Sequence, residues 1–269
     1  MNPHVRKNRE LWDEWTEINV RSAFYDVAGW KATGRGLDPE VREALGDLTG
    51  ASVLHLQCHF GLDTLRLAQL AAHVTGVDLS PRAIAHARAL SAETGITARF
   101  IESDVYALPE VLGERFDVVF SSYGAIEWLP DLGRWAELVA RYLKPGGRLV
   151  LVEGHPTMWM FDSDHPTELR VATTYFHGPQ PIEILPTVGN YADPTAVVTA
   201  PAYSWIHDLA EIVTAVLGAN LRLTALREYA HIVWKAFPFL VETAPGRWEQ
   251  PPEQPRIPLM FALVATRPK

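Results

Sequence analysis

Between residues 52 and 154 the chain alternates short apolar, β-branched runs with helical stretches, and this alternation constrains the fold more than any other feature. The runs are SVLHLQ, HVTGVD, ARFIESD, FDVVFSS and RLVLVEG. After the first, Thr64, Leu65, Leu67, Ala68 and Ala71 recur at helical spacing. SPRAIAHARALSAETG opens with Ser80 as N-cap and Pro81 at the first helical position. Residues 131 to 143 place Trp135, Leu138, Val139 and Tyr142 on one helical face, and KPGG then turns the chain. Strands separated by helices of this length need crossover connections, hence a parallel sheet. The apolar strand centres fit burial on both faces, and the crossovers are expected to be right-handed.

The flanks are built differently. Residues 8 to 24 read as an amphipathic helix carrying Leu11, Trp15, Ile18 and Ser22, with Trp12 beside them. GWKATGRGLDP reads as a Gly-rich loop and residues 40 to 48 as a short helix, so 1–48 forms a helical cap. From 156 to 205 the periodicity is lost in HPTMWMFDSDHP, TTYFHGPQP and YADPT. That is too long for an ordinary connection. It reads as an insertion over the mouth of the sheet, with a hairpin of its own. A helix resumes near 207 with Ile212, Val213, Val216 and Leu217 inward. LRLTALREY and RIPLMFALVATR are a sixth and a seventh strand, paired as a hairpin at one edge and separated by a Pro-rich loop with Trp248. No repeat and no linker divides the chain, so 1–269 is expected to be one domain.

Charge and cysteine usage narrow the function. A formal charge of −8 over 269 residues argues against a large nucleic-acid footprint. Cys58 is the single cysteine, so no internal disulfide can form, and a reducing, cytoplasmic location is expected. MNPHVRKNRELWDEW has no apolar leader core, and no later run is long enough to span a bilayer. The expected state is a monomer or homodimer.

In an open parallel sheet, ligands bind beyond the carboxyl ends of the strands where strand order reverses. The turn after the first run therefore matters most. It carries Gln57, Cys58, His59 and Phe60 before one glycine, Gly61, which marks a close approach of the backbone to a ligand or to another chain segment. Asp78 ends the second strand, where a carboxylate can accept from both hydroxyls of a ribose. Asp104 ends the third. Its carboxylate can accept from an exocyclic amine while the Val105 amide donates to a ring nitrogen. Together they outline an adenosine, although strand-end aspartates also serve simply as helix caps. His55, Cys58 and His59 include two metal-ligand types, but no fourth ligand is evident and no metal is expected. Cys58 reads as a buried, inert thiol more readily than as a reactive one.

The ordered set LQCHFG with a following DTL, VTGVDLSPRAIAHAR, ESDVYALP, FDVVFSSYGAIEWLPD and LKPGGRLVLVE resembles the class I S-adenosylmethionine-dependent methyltransferases. The similarity runs from about 50 to 155, in a small-molecule branch where LQCHFG replaces the usual acidic, glycine-rich first motif. It implies an α/β, Rossmann-like, seven-stranded, mostly parallel sheet with an antiparallel last strand and helices on both faces. It implies S-adenosylmethionine as cofactor, held by Gln57, Gly61, Asp78, Asp104 and Val105, with Ser121 and Tyr123 beside the methionyl part. The N-terminal helices would close over it through Tyr25 and Trp30, whose alternative reading is plain packing.

Methyl transfer from a sulfonium needs alignment and exclusion of water more than added catalysts. A base is needed only if the acceptor must lose a proton, and His155, Glu127 and His207, in that order, are the candidates. Trp128, Trp159, Tyr203 and Trp205 suit a small aromatic or apolar acceptor, although some of these rings would serve only to anchor the insertion. Three rivals remain. An NAD-dependent oxidoreductase shares the turn and the ribose acid, but Gln57 to Phe60 crowd the space its phosphates need. A non-catalytic S-adenosylmethionine-binding protein shares the pocket. A nucleic-acid methyltransferase would carry an Asn/Asp-Pro-Pro-aromatic run where this chain has SSYGAIEW.

Overall fold

The computed structural model describes residues 2–186 and 189–269. Three helices come first. Asn2 caps α1 (Pro3–Asn19), accepting from the His4 N–H, with Pro3 in the first turn. The helix thus starts five residues before its apolar pattern becomes visible. GWKAT is not loop but part of α2 (Val27–Thr33), whose cap Asp26 accepts from the Gly29 N–H and whose end is Gly34 in the left-handed conformation. α3 is Pro39–Leu45.

The central region then runs β1 (Ser52–Leu56), α4 (Leu62–Ala68), β2 (His73–Asp78), α5 (Pro81–Thr94), β3 (Arg99–Glu102), β4 (Phe116–Ser122), α6 (Leu132–Tyr142) and β5 (Leu143–Gly154). Short 3-10 turns at Val105–Glu110 and Ile126–Trp128 follow β3 and β4. KPGG bends the start of β5, so its pairing with β4 jumps from Phe116↔Leu143 to Val118↔Arg148. β6 (Ile182–Ile184) and β7 (Ala202–Ser204) form the hairpin expected inside the insertion. α7 (Leu209–Gly218) buries Ile212 and Val216, but Leu217 is exposed rather than inward. β8 (Arg222–Tyr229) and β12 (Met260–Thr266) are the last two sheet strands. Between them lies a three-stranded sheet of β9 (His231–Ile232), β10 (Val241–Ala244) and β11 (Arg247–Glu249), where the sequence suggests only a Pro-rich loop.

The seven-stranded sheet has the order β3-β2-β1-β4-β5-β12-β8. β1 to β5 are parallel, and β12 is antiparallel to both neighbours. Strand order reverses between β1 and β4, so their carboxyl ends border the crevice where ligands bind in such sheets. One core layer packs Trp135, Val139 and Tyr142 of α6 and Ile212 and Val216 of α7 against Leu54, Leu149, Leu151 and Leu263. The other face is covered by α3 and α4, through Val41, Leu45 and Leu67 on Val53, Phe120 and Val150. Each such side chain, fully buried, contributes about 1.5–3 kcal/mol before entropy is charged.

The cap and the insertion are tied together. The Asn8 side chain donates to the Tyr203 carbonyl at 2.7 Å and accepts from the Tyr203 N–H at 2.8 Å. Glu14 accepts from the Thr199 N–H at 2.8 Å. Asn19 donates to the Tyr191 hydroxyl at 2.8 Å and accepts from the Asn190 side chain at 2.9 Å. Within 156–205, Thr187 and Val188 lie outside the described residues. No helix among the described residues is long and apolar enough to cross a membrane.

Candidate active site

The turn after β1 takes the shape that glycines would allow, without them. Gln57 and His59 both sit in the left-handed region, at φ 54° and 53°. A side chain there costs about 1–2 kcal/mol, and such strain persists where the surroundings hold it. The surroundings are visible. The Cys58 N–H donates to the Val77 carbonyl at 2.9 Å, and the His59 N–H donates to Asp78 Oδ2 at 2.8 Å. The Ser80 N–H takes Asp78 Oδ1 at 2.9 Å. Asp78 is buried, and burial pushes its carboxyl up to about 6. It organises the turn while keeping further acceptor lone pairs.

Gly61 is required by the packing of the chain itself. Its φ is 80°, and an added Cβ would lie 2.7 Å from both Ala87 Cβ and Phe100 Cε1. Gly61 is where α4 and its turn press on α5 and β3. Asp104 lies beside Asp78, because β2 and β3 are neighbours and the Ser103 N–H donates to the Asp78 carbonyl at 2.8 Å. Asp104 Oδ1 accepts from the Tyr106 N–H at 2.9 Å, capping the 3-10 turn, and the Val105 side chain belongs to the core. A cavity of about 370 Å³ opens beside Asp104 and is lined by Tyr106, Glu110, Asp131 and Arg134. It shares only Asp104 with the proposed cofactor group, and it is set apart from the turn.

Above the turn, α1 and the insertion contribute a box of aromatic rings. Trp12 lies 5.1 Å from His59, 5.1 Å from Trp15 and 5.4 Å from Trp128, all edge-to-face. Tyr25 packs on Phe60 and His59 at 4.8 and 5.5 Å and shares a hydrogen bond of 2.7 Å with Tyr191. Tyr191 also meets Trp15 at 5.7 Å. Burial pushes the Tyr25 hydroxyl well up, and it pushes His59 down to about 3, with His86 adding to the shift. Several buried polar atoms around this box have no partner among the described residues: Gln57 Oε1, His59 Nε2, Ser121 Oγ, Trp15 Nε1 and Trp128 Nε1. Buried polar groups are normally paired, so unpaired ones gathered at a strand-order reversal mark a place built for something else. Gln57 Nε2 is already bound, donating to the Ala125 carbonyl at 2.6 Å.

Other expected site residues are committed elsewhere. Tyr123 donates to Asp38 at 3.0 Å and packs among α3 and the β8–β9 region. Trp30 is buried against Cys58, Phe60, Leu62 and Leu65. Tyr203 docks β7 on α1, its ring 4.5 Å from His4 and its hydroxyl donating to Glu183 at 2.7 Å. His155 caps the 3-10 turn Pro156–Met160 and accepts the Thr157 N–H at Nδ1. Its Nε2 is 2.9 Å from Glu228 Oε1, off the line of a good hydrogen bond, and its ring meets Phe261. A strand end places it on the correct side of the sheet, but its ring is turned toward β8 and β12. His55 lies against Thr64 and Phe120, and the Cys58 thiol is pushed well up by burial and by Asp78. Among the described residues no group of three or more His, Cys, Asp or Glu is placed to hold a metal.

A second, narrow cavity of about 20 Å³, room for about one water, opens beyond β4 and β5. Glu127, Trp159, Trp205 and His207 line it with Glu153. Glu153, buried at the end of β5, accepts from the N–H groups of Gly124, Ala125 and Ile126, the last two at 2.8 and 3.2 Å. It was not foreseen, although it carries the same strand-end signature as Asp78 and Asp104. Burial pushes Glu153 up to about 7, and burial together with Glu153 pushes Glu127 up to about 8. His207 donates from Nε2 to the Leu129 carbonyl at 2.8 Å, and its Nδ1 is 3.0 Å from Glu211. Of the three candidate bases, His155 has Glu228 beside its Nε2 and His207 is held at both ring nitrogens, whereas the Glu127 carboxylate has no partner among the described residues. Trp12, Trp15, His59 and Tyr191 are the other unforeseen members of the site.

Comparison with known proteins agrees with this fold. Residues 53–147 match the methyltransferase domain family. Demethylmenaquinone methyltransferase of Lactococcus lactis is 33% identical over 150 residues, covering 54% of this chain and 56% of that protein. A ubiquinone biosynthesis O-methyltransferase of Xylella fastidiosa is 35% identical over 117 residues, covering 42% and 46%. The chain thus spans about half the length of the curated relatives it matches. An S-adenosylmethionine-dependent methyltransferase structure from Mesorhizobium loti superposes with a TM-score of 0.58 at 19% identity, covering 85% of this chain and 96% of that one. The fold is that of the class I S-adenosylmethionine-dependent methyltransferases. The methyltransferase domain holds the turn, Asp78, Asp104, Ser121 and Trp128, whereas Trp15, Tyr191 and Trp205 come from the flanks.

Proposed function

We propose that the chain transfers a methyl group from S-adenosylmethionine to a small aromatic or apolar acceptor. The observation that carries this is the set of buried, unpaired polar atoms at the carboxyl ends of β1 and β4, beneath a ring box closed by α1 and Tyr191. When bound, S-adenosylmethionine supplies an electrophilic methyl group on a positively charged sulfur.

Asp78 would accept from the ribose hydroxyls while keeping its bonds to the turn, and Asp104 would accept from the adenine amine. Gln57 Oε1 and Ser121 Oγ would meet the methionyl part. The faces of Trp15, Trp128 and Tyr191 would stabilise the sulfonium, as aromatic faces do for cations. Rings in mutual contact leave little room, so entry requires α1 and the insertion to part. Closure then excludes water. In this reading 1–269 acts as one unit, with 1–48 as its cap and 156–205 over the acceptor side. One relative is named for demethylmenaquinone and the other for ubiquinone biosynthesis, which agrees with a flat aromatic acceptor between Trp159 and Trp205.

Titration calorimetry tests it. Heat is expected with S-adenosylmethionine and with S-adenosylhomocysteine, and none with NAD. Heat with NAD alone would support the oxidoreductase reading. Methyl-donor binding without label transfer to any acceptor in a broad radiolabel screen would support a non-catalytic binder.

A further inference from the structure

The cavity beyond β4 and β5 holds two carboxyl groups and no cation. Glu127 lines it with no hydrogen-bond partner for its carboxylate among the described residues, while Glu153 is spent on three backbone N–H groups. No Lys or Arg is in the lining. His207, the other titratable group there, is held by Leu129 and Glu211. Trp159 and Trp205 supply the walls. An unpaired, half-buried carboxyl in an aromatic-walled pocket is stabilised by a ligand that brings the missing positive charge, and the ring faces share that preference. A phenolate would instead face two carboxyl groups.

Glu127 joins the lining of the cavity to the ring box through the chain. Trp128 follows Glu127 directly and stands 5.4 Å from Trp12 and 5.9 Å from Trp15. The Trp205 N–H donates to the Glu127 carbonyl at 2.7 Å, which fixes that wall beside the carboxyl.

Resting on the methyl-transfer reading above, we infer that the acceptor is an amine taken up as its ammonium ion, and that Glu127 is the catalytic residue that holds it and receives its proton. An ammonium nitrogen has no lone pair and cannot attack. Glu127 releases its own proton to solvent as the ammonium enters and then, as carboxylate, takes one proton from it. The freed lone pair forms the N–C bond as the S–C bond breaks, and the electron pair of that bond stays on sulfur. The product leaves as a methylated ammonium, and the proton on Glu127 passes to solvent. Glu153 is a positioning residue, because its three bonds fix the 124–126 backbone that carries Glu127.

The test uses sinefungin, which carries an ammonium group at the position of the transferable methyl, and S-adenosylhomocysteine, which carries neither. Calorimetry on the full chain should show sinefungin binding about tenfold tighter or more, the worth of one charge-assisted hydrogen bond. Glu127→Gln should lose that preference through sinefungin alone, and Glu127→Asp, which keeps the charge, should retain part of it. An unchanged ratio in both variants overturns the inference and leaves the methyl-donor reading standing. No heat with either nucleoside on the unaltered chain overturns both. With labelled methyl donor, 2-phenylethylamine should be labelled in preference to phenol, and label in phenol but not in the amine also overturns it.

Discussion

Replacing Gly61 with Ala separates two reasons for a glycine in the turn. The new Cβ would stand 2.7 Å from Ala87 Cβ and from Phe100 Cε1, both buried, at a φ of 80°. The left-handed backbone costs a side chain about 1–2 kcal/mol. Forcing a methyl into a packed contact costs about 1–3 kcal/mol more. Stiffening of the unfolded chain returns about 0.4–1 kcal/mol. The net loss is about 2–4 kcal/mol, and for a chain of this size about 5–15 °C of melting temperature. Gly95→Ala is the control: its φ is 71°, but nothing lies within 4 Å of the added atom, so only the backbone contribution remains. Thermal and urea melts of both variants read the difference. If Gly61→Ala melts with Gly95→Ala and instead loses S-adenosylhomocysteine affinity, the glycine serves the ligand and the packing argument fails.

Asp78→Asn places an amide N–H₂ against one of two backbone N–H donors, from His59 and Ser80. It should cost about 1–3 kcal/mol of stability and weaken S-adenosylhomocysteine binding at least tenfold; unchanged affinity would remove Asp78 from the ribose. His155→Ala should lose about 1 kcal/mol, the worth of a cap, while turnover at saturating cofactor stays within a few-fold; a hundredfold fall in turnover at an unchanged melting temperature would restore it as a base. Glu127 is pushed up to about 8 from an ordinary 4.5, first by burial and then by Glu153. The folded chain therefore holds a proton that the unfolded chain has released, and between about pH 4.5 and pH 8 this group makes stability fall as pH rises. Glu127→Gln should flatten that decline in urea midpoints across the window, and parallel profiles would refute the shift.

What could be read before the structure, and what could not, divides along one physical line. β2 and β4 occupy the residues that HVTGVD and FDVVFSS suggest, because runs buried on both faces announce themselves locally. A parallel sheet then sends every strand's carboxyl end to one side, so Gln57, Asp78, Asp104 and Ser121 could be assigned to the site's side from position alone. Glu153 was equally legible by that rule. α2 was hidden because its start is Asp26 in a left-handed conformation and its body carries a glycine. The strands β9 to β11 are two to four residues long, too short for a period. They are anchored by His231 and Arg247 on Glu40, at 2.8 and 3.4 Å, across about two hundred residues of chain. The same limit governs the ring box. Trp12 and Trp15 could be read as one helical face, but that Tyr191 closes it depends on Asn19 and Tyr25 holding a hydroxyl from the insertion. His155 and Glu127 make the point at the level of one side chain. Each follows a strand on the correct side of the sheet, yet Glu228 and Phe261 claim the imidazole while nothing among the described residues claims the Glu127 carboxylate. Chain position selects the candidates for chemistry, and the partners already bound decide which of them is free to perform it.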